Sequence, residues 1–234
     1  MKTLSIDIGG SKLKASVLNE DGTPMVDRVR VPTPVGAPPD SFVDALVELV
    51  EPLPAYDRVS VGFPGVVRDG TVRLAPPNLD NAGWAGFKLA EALAGRLRKP
   101  VKVLNDAEMQ GLAVVQGQGV EMVITLGTGF GSALFVDGRR GAHLELAHHP
   151  FRKGETYDEQ LGNAARRRIG GKKWNRRVRK AIKTMRTLTN FDHLYIGGGN
   201  ARKVAFELDP DVSLVSNAAG IAGGLAVWHE AGHS

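Results

Sequence analysis

One pattern occurs twice in this chain and limits its fold more than any other feature. Apolar residues alternate from Leu4 to Ile8, stop at Gly9-Gly10, and alternate again from Leu13 to Leu18 before the turn Asn19-Glu20-Asp21-Gly22. The same succession returns as Val123 to Leu126, Gly127-Thr128-Gly129, Gly131 to Val136 and Asp137-Gly138. Period-two alternation broken by a glycine turn predicts an antiparallel hairpin. Aligning Ile8-Gly9-Gly10 with Leu126-Gly127-Thr128 brings Ala15 onto Ala133. That correspondence predicts an internal duplication, the alternative being two unrelated hairpins with similar turn chemistry.

Around the first hairpin, Met25 to Val31 can supply a third strand. Asp40 to Val50 carries Phe42, Ala45, Leu46 and Leu49 on one face of an amphipathic helix. Val59 to Gly62 and Val101 to Leu104 read as short buried strands, with a helix from Phe87 to Leu97 before the second. Strands followed by helices predict an α/β fold with a mixed sheet. After the second hairpin, Trp174, Val178, Ala181, Ile182, Met185 and Leu188 form an apolar stripe at helical spacing. Leu194 to Ile196 is a strand ending in Gly197-Gly198-Gly199-Asn200, and Asn217 to Trp228 is a helix rich in small residues. Two α/β domains are expected, residues 1–104 and 105–234, with the last helix free to pack back on the first domain.

The 234 residues, 42% of them hydrophobic, suffice for two modest cores. The absence of cysteine excludes disulfides, thiolate metal sites and a cysteine nucleophile. MKTLSIDIGG lacks the apolar run of a signal peptide, and no stretch reaches the ~20 apolar residues of a membrane span. The expectation is a soluble, cytoplasmic protein without a membrane partner. Of the 30 basic residues, 11 lie within residues 166–186, which hold no acidic residue. The remainder of the chain therefore has 19 basic against 25 acidic residues, a net −6. The basicity is one local patch, either a site for a polyanion or a solvated helix face.

The residues able to do chemistry gather around the glycine turns. Asp7, at the end of a buried strand, can hold Mg²⁺ through water, while Gly9 and Gly10 bring backbone N–H groups to phosphate oxygens. Gly127, Thr128 and Gly129 form a second such loop, and two loops could clamp a phosphate chain as phosphoryl transfer requires. Neither is a P-loop, for no Gly-Lys-Ser/Thr follows a four-residue spacer, and neither leads from strand to helix as a dinucleotide fingerprint does. Asp106 stands where a strand becomes a helix. A carboxylate there can accept a hydroxyl proton, although Asn105-Asp106 taken alone reads more readily as a helix cap. Asn105 beside it could bond a polyol. Glu145 and His148, three apart, could both contact sugar hydroxyls or form one half of a metal site, although neither spacing nor partners suggest zinc. Asn78 and Trp84 lie in a loop that could face a sugar, Trp84 being equally suited to a core.

Six segments then occur in one order: Asp7-Ile-Gly-Gly-Ser11, Gly62-Phe-Pro-Gly65, Asn105-Asp-Ala-Glu108, Leu126-Gly-Thr-Gly-Phe-Gly131, Glu145-Leu-Ala-His148 and Ile196-Gly-Gly-Gly199. In that order and spacing the chain resembles the ROK family of sugar kinases and repressors, from Met1 to about Trp228. The resemblance implies the actin-like ATPase (ribonuclease H-like) fold, two α/β domains with a cleft between them, and usually a homodimer. Within the family it looks most like the polyphosphate glucokinases, which lack the cysteine-rich zinc motif and carry a Lys-Lys-Trp segment before a basic helix. Lys172-Lys173-Trp174 matches that segment, and the resemblance makes Lys172, Lys173, Arg176, Arg179, Lys180 and Lys183 a docking surface for polyphosphate.

Carried onto this chain, the resemblance makes Asp106 the base for the 6-hydroxyl of glucose or a related hexose, with Asn105, Glu145 and His148 binding the sugar. Asp7 falls near Mg²⁺; Gly9, Gly10, Ser11, Lys12, Gly127, Thr128 and Gly129 hold phosphates of polyphosphate or ATP; Gly198 and Gly199 fall where adenosine would sit. No zinc is implied. Ser11 stands in place of the usual threonine and Ala147 in place of the usual glycine, and a further sugar-binding glutamate would be Glu159. Two other readings remain. In one, a kinase uses ATP alone and the basic helix is a solvated surface. In the other, a sugar-responsive regulator binds nucleic acid, although the chain starts directly in the first phosphate-loop strand, without a helix-turn-helix, and no nucleic-acid partner is expected.

Overall fold

A computed structural model describes residues 1–76, 79, 83–216 and 219–229. In chain order the elements are β1 (Thr3–Ile8), β2 (Lys12–Leu18), β3 (Val29–Pro32), α1 (Pro39–Val50), β4 (Arg58–Phe63), β5 (Val66–Arg68), β6 (Thr71–Leu74), α2 (Leu89–Leu97), β7 (Val101–Asn105) and α3 (Asp106–Leu112). There follow β8 (Val120–Leu126), β9 (Phe130–Val136), β10 (Arg139–Arg140), β11 (Pro150–Arg152), β12 (Glu155–Thr156), α4 (Tyr157–Leu161), α5 (Asn163–Ile169), α6 (Gly171–Thr189), β13 (His193–Gly197), β14 (Val212–Leu214) and α7 (Ala219–Ala226). Asn78, and Asn217 with Ala218 at the expected start of the last helix, lie outside the described residues.

Contacts divide the chain into two compact units, Met1–Ala113 with Gly220–Ser234, and Val114–Ala219. The expected boundary after residue 104 therefore comes too early. The first unit keeps α3, because α3 continues directly from β7 and packs against β4, and it also takes back α7.

Each unit holds a five-stranded sheet, ordered β3-β2-β1-β4-β7 in the first and β10-β9-β8-β13-β14 in the second. In both, a three-strand antiparallel edge passes into three parallel strands through its inner hairpin strand. The shared succession is what a duplication of the hairpin unit would leave. The two turns nevertheless differ in length. Ile8 pairs with Leu13, whereas Leu126 pairs with Phe130, so the first turn is one residue longer. Ile6 faces Ala15 and Ile124 faces Ser132; the counterpart of Ala15 is thus Ser132, and the ungapped match to Ala133 slips by one. The third strand of the first sheet is also shorter than Met25 to Val31. Met25 and Val26 are exposed and stay outside β3.

In the first unit α1 buries Phe42, Val43, Leu46, Leu49 and Val50 against the sheet. Trp84 is 1% exposed, with Phe42 and Phe63 rings each 5.3 Å away and Phe87 at 5.9 Å. It is a core residue and does not face a sugar. On its other face β1 carries Ser5 and Asp7. There α7 is fastened by two buried hydroxyls, Ser5 Oγ donating to Ile221 O at 2.8 Å and Ser60 Oγ to Gly224 O at 2.6 Å. A Cβ at Gly223 would collide with the Met109 carbonyl, so the small residues of α7 are what allows it to lie this close.

In the second unit α6 presents Trp174, Val178, Ala181, Ile182 and Met185 to a core that includes Ile124, Leu194 and Ile196. Leu188, expected on that stripe, is 60% exposed near the end of the helix. Glu121 is 1% exposed, yet its carboxylate accepts N–H bonds from Gln116 and Gly117 at 2.7 Å and Gln118 at 3.2 Å, and the Tyr195 hydroxyl at 2.9 Å. Burial, followed by this bond and the Glu121 charge, pushes the Tyr195 phenol up to about 12. Among the described residues no helix is long and apolar enough to cross a membrane.

Candidate active site

The first unit carries the first glycine turn and Asn105-Asp106. Gly9 N–H donates to Lys12 O at 3.0 Å, closing the turn between β1 and β2. Gly9 and Gly10 are partly exposed, and Ser11 and Lys12 are exposed. The turn is braced from a distance by Thr33, 6% exposed, whose hydroxyl donates to Gly9 O at 2.6 Å and whose N–H donates to Ser11 O at 3.2 Å. Nothing in the local sequence of the turn points to Thr33. At the root of the turn Asp7 and Lys14 are direct partners on the β1–β2 ladder, with Lys14 Nζ 2.7 Å from Asp7 Oδ2.

Asn105 ends β7 and is the N-cap of α3. Its Oδ1 accepts from Ala107 N–H at 2.9 Å and Glu108 N–H at 3.3 Å, and its Nδ2 donates to Gly65 O at 3.0 Å. The cap is therefore real, and a buried Asn105 amide is largely committed to holding the junction. Asp106 follows as the first helical residue, part-buried, with Oδ1 2.8 Å from Ala107 N. The close approach at Gly62 explains part of the Gly62-Phe-Pro-Gly65 segment: a Cβ there would meet the Met109 methyl at 2.8 Å and Asp106 Cα at 3.4 Å.

The second unit carries the other turn. Gly127 N–H donates to Gly129 O at 2.9 Å. The carbonyls of Gly127 and Thr128 both accept from Asn163 N–H at the start of α5, at 3.0 and 3.1 Å. Asn200, just past Gly198 and Gly199, adds an N–H bond to Leu126 O at 2.8 Å and an amide bond to Gly127 O at 3.1 Å. The triple-glycine turn is thus tied to the second loop.

Glu145 and His148 stand at the two ends of one 3-10 turn, Leu146–His148, with His148 exposed and Glu145 also 3.2 Å from His143 Nε2. Their neighbour is Asp158, half-buried on α4, with Oδ1 2.5 Å from Phe130 N at the exit of the second loop. Burial raises the Asp158 pKa. The Phe130 N–H bond and the His148 charge oppose that rise, and the Glu145 and Glu159 charges add to it. The carboxylate near Glu145 and His148 is accordingly Asp158. Glu159, the residue expected there, is exposed and completes a capping box: its Oε2 accepts from Thr156 N at 2.8 Å and Thr156 Oγ1 at 2.9 Å. A Thr three residues before a Glu is the sequence signal that assigns Glu159 to the cap.

Lys172, Lys173, Arg176, Arg179, Lys180 and Lys183 all lie exposed on α6. Arg179 stacks on Phe206 at 4.6 Å, and Lys180 lies over Phe151 at 5.5 Å. Arg177, also on α6, donates from Nη1 to Gln160 O at 3.3 Å, and its pKa is lowered by burial and then by the Arg152 charge, against the opposing charge of Glu155, with a smaller lowering from Arg168.

Residues 3–162 match the ROK family, and the chain belongs to it. It is 39% identical over 145 residues to the N-acetylmannosamine kinase of Escherichia coli strain SE11, a match covering 59% of this chain and 49% of that protein. The chain thus spans about half the length of the curated relatives it matches. The inorganic polyphosphate/ATP-glucomannokinase of Arthrobacter sp. strain KM superposes with a TM-score of 0.85 and 29% identity, covering 98% of this chain and 99% of that one. The ROK glucokinase of Streptomyces griseus, solved with glucose and AMPPNP, superposes with a TM-score of 0.78 at 20% identity, over 97% and 99% of the two chains. The fold is the actin-like ATPase fold.

Proposed function

We propose that the protein is a hexose kinase that phosphorylates the 6-hydroxyl of glucose from inorganic polyphosphate or ATP. The observation that carries the reading is Asp106, a carboxylate fixed at the β7–α3 junction in the unit that also holds the first glycine turn. Asp106 takes the hydroxyl proton as oxygen attacks phosphorus. Asn105 chiefly positions that base, and Glu145, His148 and Asp158 bind hydroxyls of the sugar. Backbone N–H groups of the two turns hold the donor's phosphates, and Gly198-Gly199 receives adenosine when ATP is the donor.

Mg²⁺ would shield charge on the transferring phosphoryl group. The fit is to a metal carried mainly by the donor: among the described residues no group of three His, Asp or Glu could hold an ion, and Asp7, whose Oδ2 is 2.7 Å from Lys14 Nζ, would meet its water shell. The exposed cations of α6 and the full-length likeness to a polyphosphate/ATP-glucomannokinase support polyphosphate as donor. Identity to the N-acetylmannosamine kinases favours a second reading, in which that amino sugar is the acceptor. The test is a coupled assay crossing glucose, mannose and N-acetylmannosamine with ATP and polyphosphate. Glucose turnover with polyphosphate is expected, whereas turnover of the amino sugar alone, or of none, would overturn the reading.

A further inference from the structure

The stretch between β10 and the 3-10 turn Leu146–His148 is strapped to β9. Gly141 N–H donates to Leu134 O at 2.7 Å, and Ser132, 6% exposed, donates from Oγ to Leu144 O at 2.9 Å. The strap fixes how the side chains on either side of Leu144 lie. Leu144 itself is exposed, whereas the side chains of His143 and Glu145 are only 17% and 27% exposed and meet, with His143 Nε2 3.2 Å from Glu145 Oε2. Glu145 also has anionic company, since its charge adds to the rise that burial gives the Asp158 pKa. Repulsion between like charges turns a carboxylate toward water unless a donor holds it in place.

We propose that His143 is a positioning residue for hexose binding, its Nε2–H holding one oxygen of Glu145 so that the carboxylate keeps the other turned to a sugar hydroxyl. Nε2 carries a proton in the imidazolium and in one of the two neutral tautomers, so the bond does not depend on a charged ring. A carboxylate has two oxygens with about four lone-pair sites, and the bond to His143 takes one of them. Because the acceptor is ionised, the bond belongs to the stronger class of hydrogen bond. A carboxylate fixed beforehand loses little rotamer freedom when the sugar arrives, and that saving appears as affinity. The inference rests on the reading of Glu145 as a sugar ligand.

The test is calorimetric titration of glucose, mannose and N-acetylmannosamine into the whole chain as wild type, His143→Phe, His143→Gln, Glu145→Ala and the double variant His143→Phe/Glu145→Ala, with inorganic tripolyphosphate as the control ligand. His143→Phe keeps a ring and removes the donor. It is expected to weaken the sugar that binds by about tenfold, with tripolyphosphate affinity and melting temperature near wild type. Gln offers an amide N–H₂ at about the reach of Nε2, and should bring affinity back to within about threefold of wild type. In the Glu145→Ala background the Phe substitution should cost less than about twofold, since no carboxylate is left to position. A tenfold cost there means that His143 meets the sugar itself, and overturns the inference. Equal affinity of wild type and His143→Phe overturns it too. If the Phe variant melts early, His143→Glu takes its place, being close to Gln in shape but without a donor: a loss of tenfold or more supports the inference, and affinity within about threefold of wild type overturns it. Wild-type affinity in Glu145→Ala removes Glu145 from the sugar site and the inference with it. Failure of the wild type to bind any of the three sugars removes the sugar-site reading as a whole, a result separable from the others.

Discussion

A single side chain can be both a helix cap and part of an active site, and the Asn105-Asp106 pair divides these duties. The Asn105 amide closes the end of α3 with bonds to two N–H groups and one carbonyl, which leaves Asp106 anchored in its first turn. Asp106→Asn should therefore keep the fold and the sugar affinity while lowering turnover by about three or more powers of ten. Activity within about tenfold of wild type would remove Asp106 from the role of base. Asp158 makes a separate prediction. Its folded pKa lies above the unfolded value, so the group stabilises the fold when protonated and costs stability once pH rises through the folded pKa. Asp158→Asn keeps an acceptor for Phe130 N–H and removes the buried charge. It should melt higher than wild type at pH 7, and the gap should narrow as pH falls toward 4. A gap that widens on acidification would reverse the assignment.

At the scale of elements, much was legible in the sequence. The two hairpins, α1, α6 and the β7–α3 junction follow from alternation, glycine turns and helical spacing, because each signal is local. What escaped depends on register or distance. Lys14 faces Asp7 only if the first turn has its observed length, and a turn one residue shorter would put a different residue there. Thr33, directly after β3, braces the first turn through bonds that no local pattern announces, and Asp158 is told from its neighbour Glu159 only by helix phase, which the capping box completed by Glu159 fixes. Two elements carry predictions of their own. Replacing Arg176, Arg179, Lys180 and Lys183 by Gln should raise the Michaelis constant for polyphosphate severalfold and weaken its salt dependence, with ATP kinetics spared. Equal effects on both donors would mean that α6 does not dock polyphosphate. At the entry to β8, Glu121→Gln would place an amide N–H₂ among N–H donors, with an expected cost of about 1–3 kcal/mol in urea unfolding. An unchanged midpoint would show that water replaces those bonds without loss.

On the scale of the whole chain, the first unit is discontinuous: it runs to Ala113 and is completed by α7 after the second unit has intervened. Deleting residues from Gly220 onward should strip the cover from Ser5 and Ser60, lower the melting temperature of the first unit, and leave the second unit's transition nearly unchanged. Hydrogen exchange resolved by segment would check this, with β1 and β4 losing protection and β8 and β13 retaining it. Equal loss in both sheets would show that they unfold as one.

The Ser5 and Ser60 hydroxyls also impose an order on biosynthesis. The strands that bear them emerge from the ribosome well before the carbonyls they will bond have been translated, and domains tend to form as they are made. The second sheet has all of its strands in hand while the first still waits for α7, so the first unit is finished after the second. In that interval the face of β1 and β4 that bears Ser5 and Ser60 is open to water and to other nascent chains, and chaperone dependence should be greatest there.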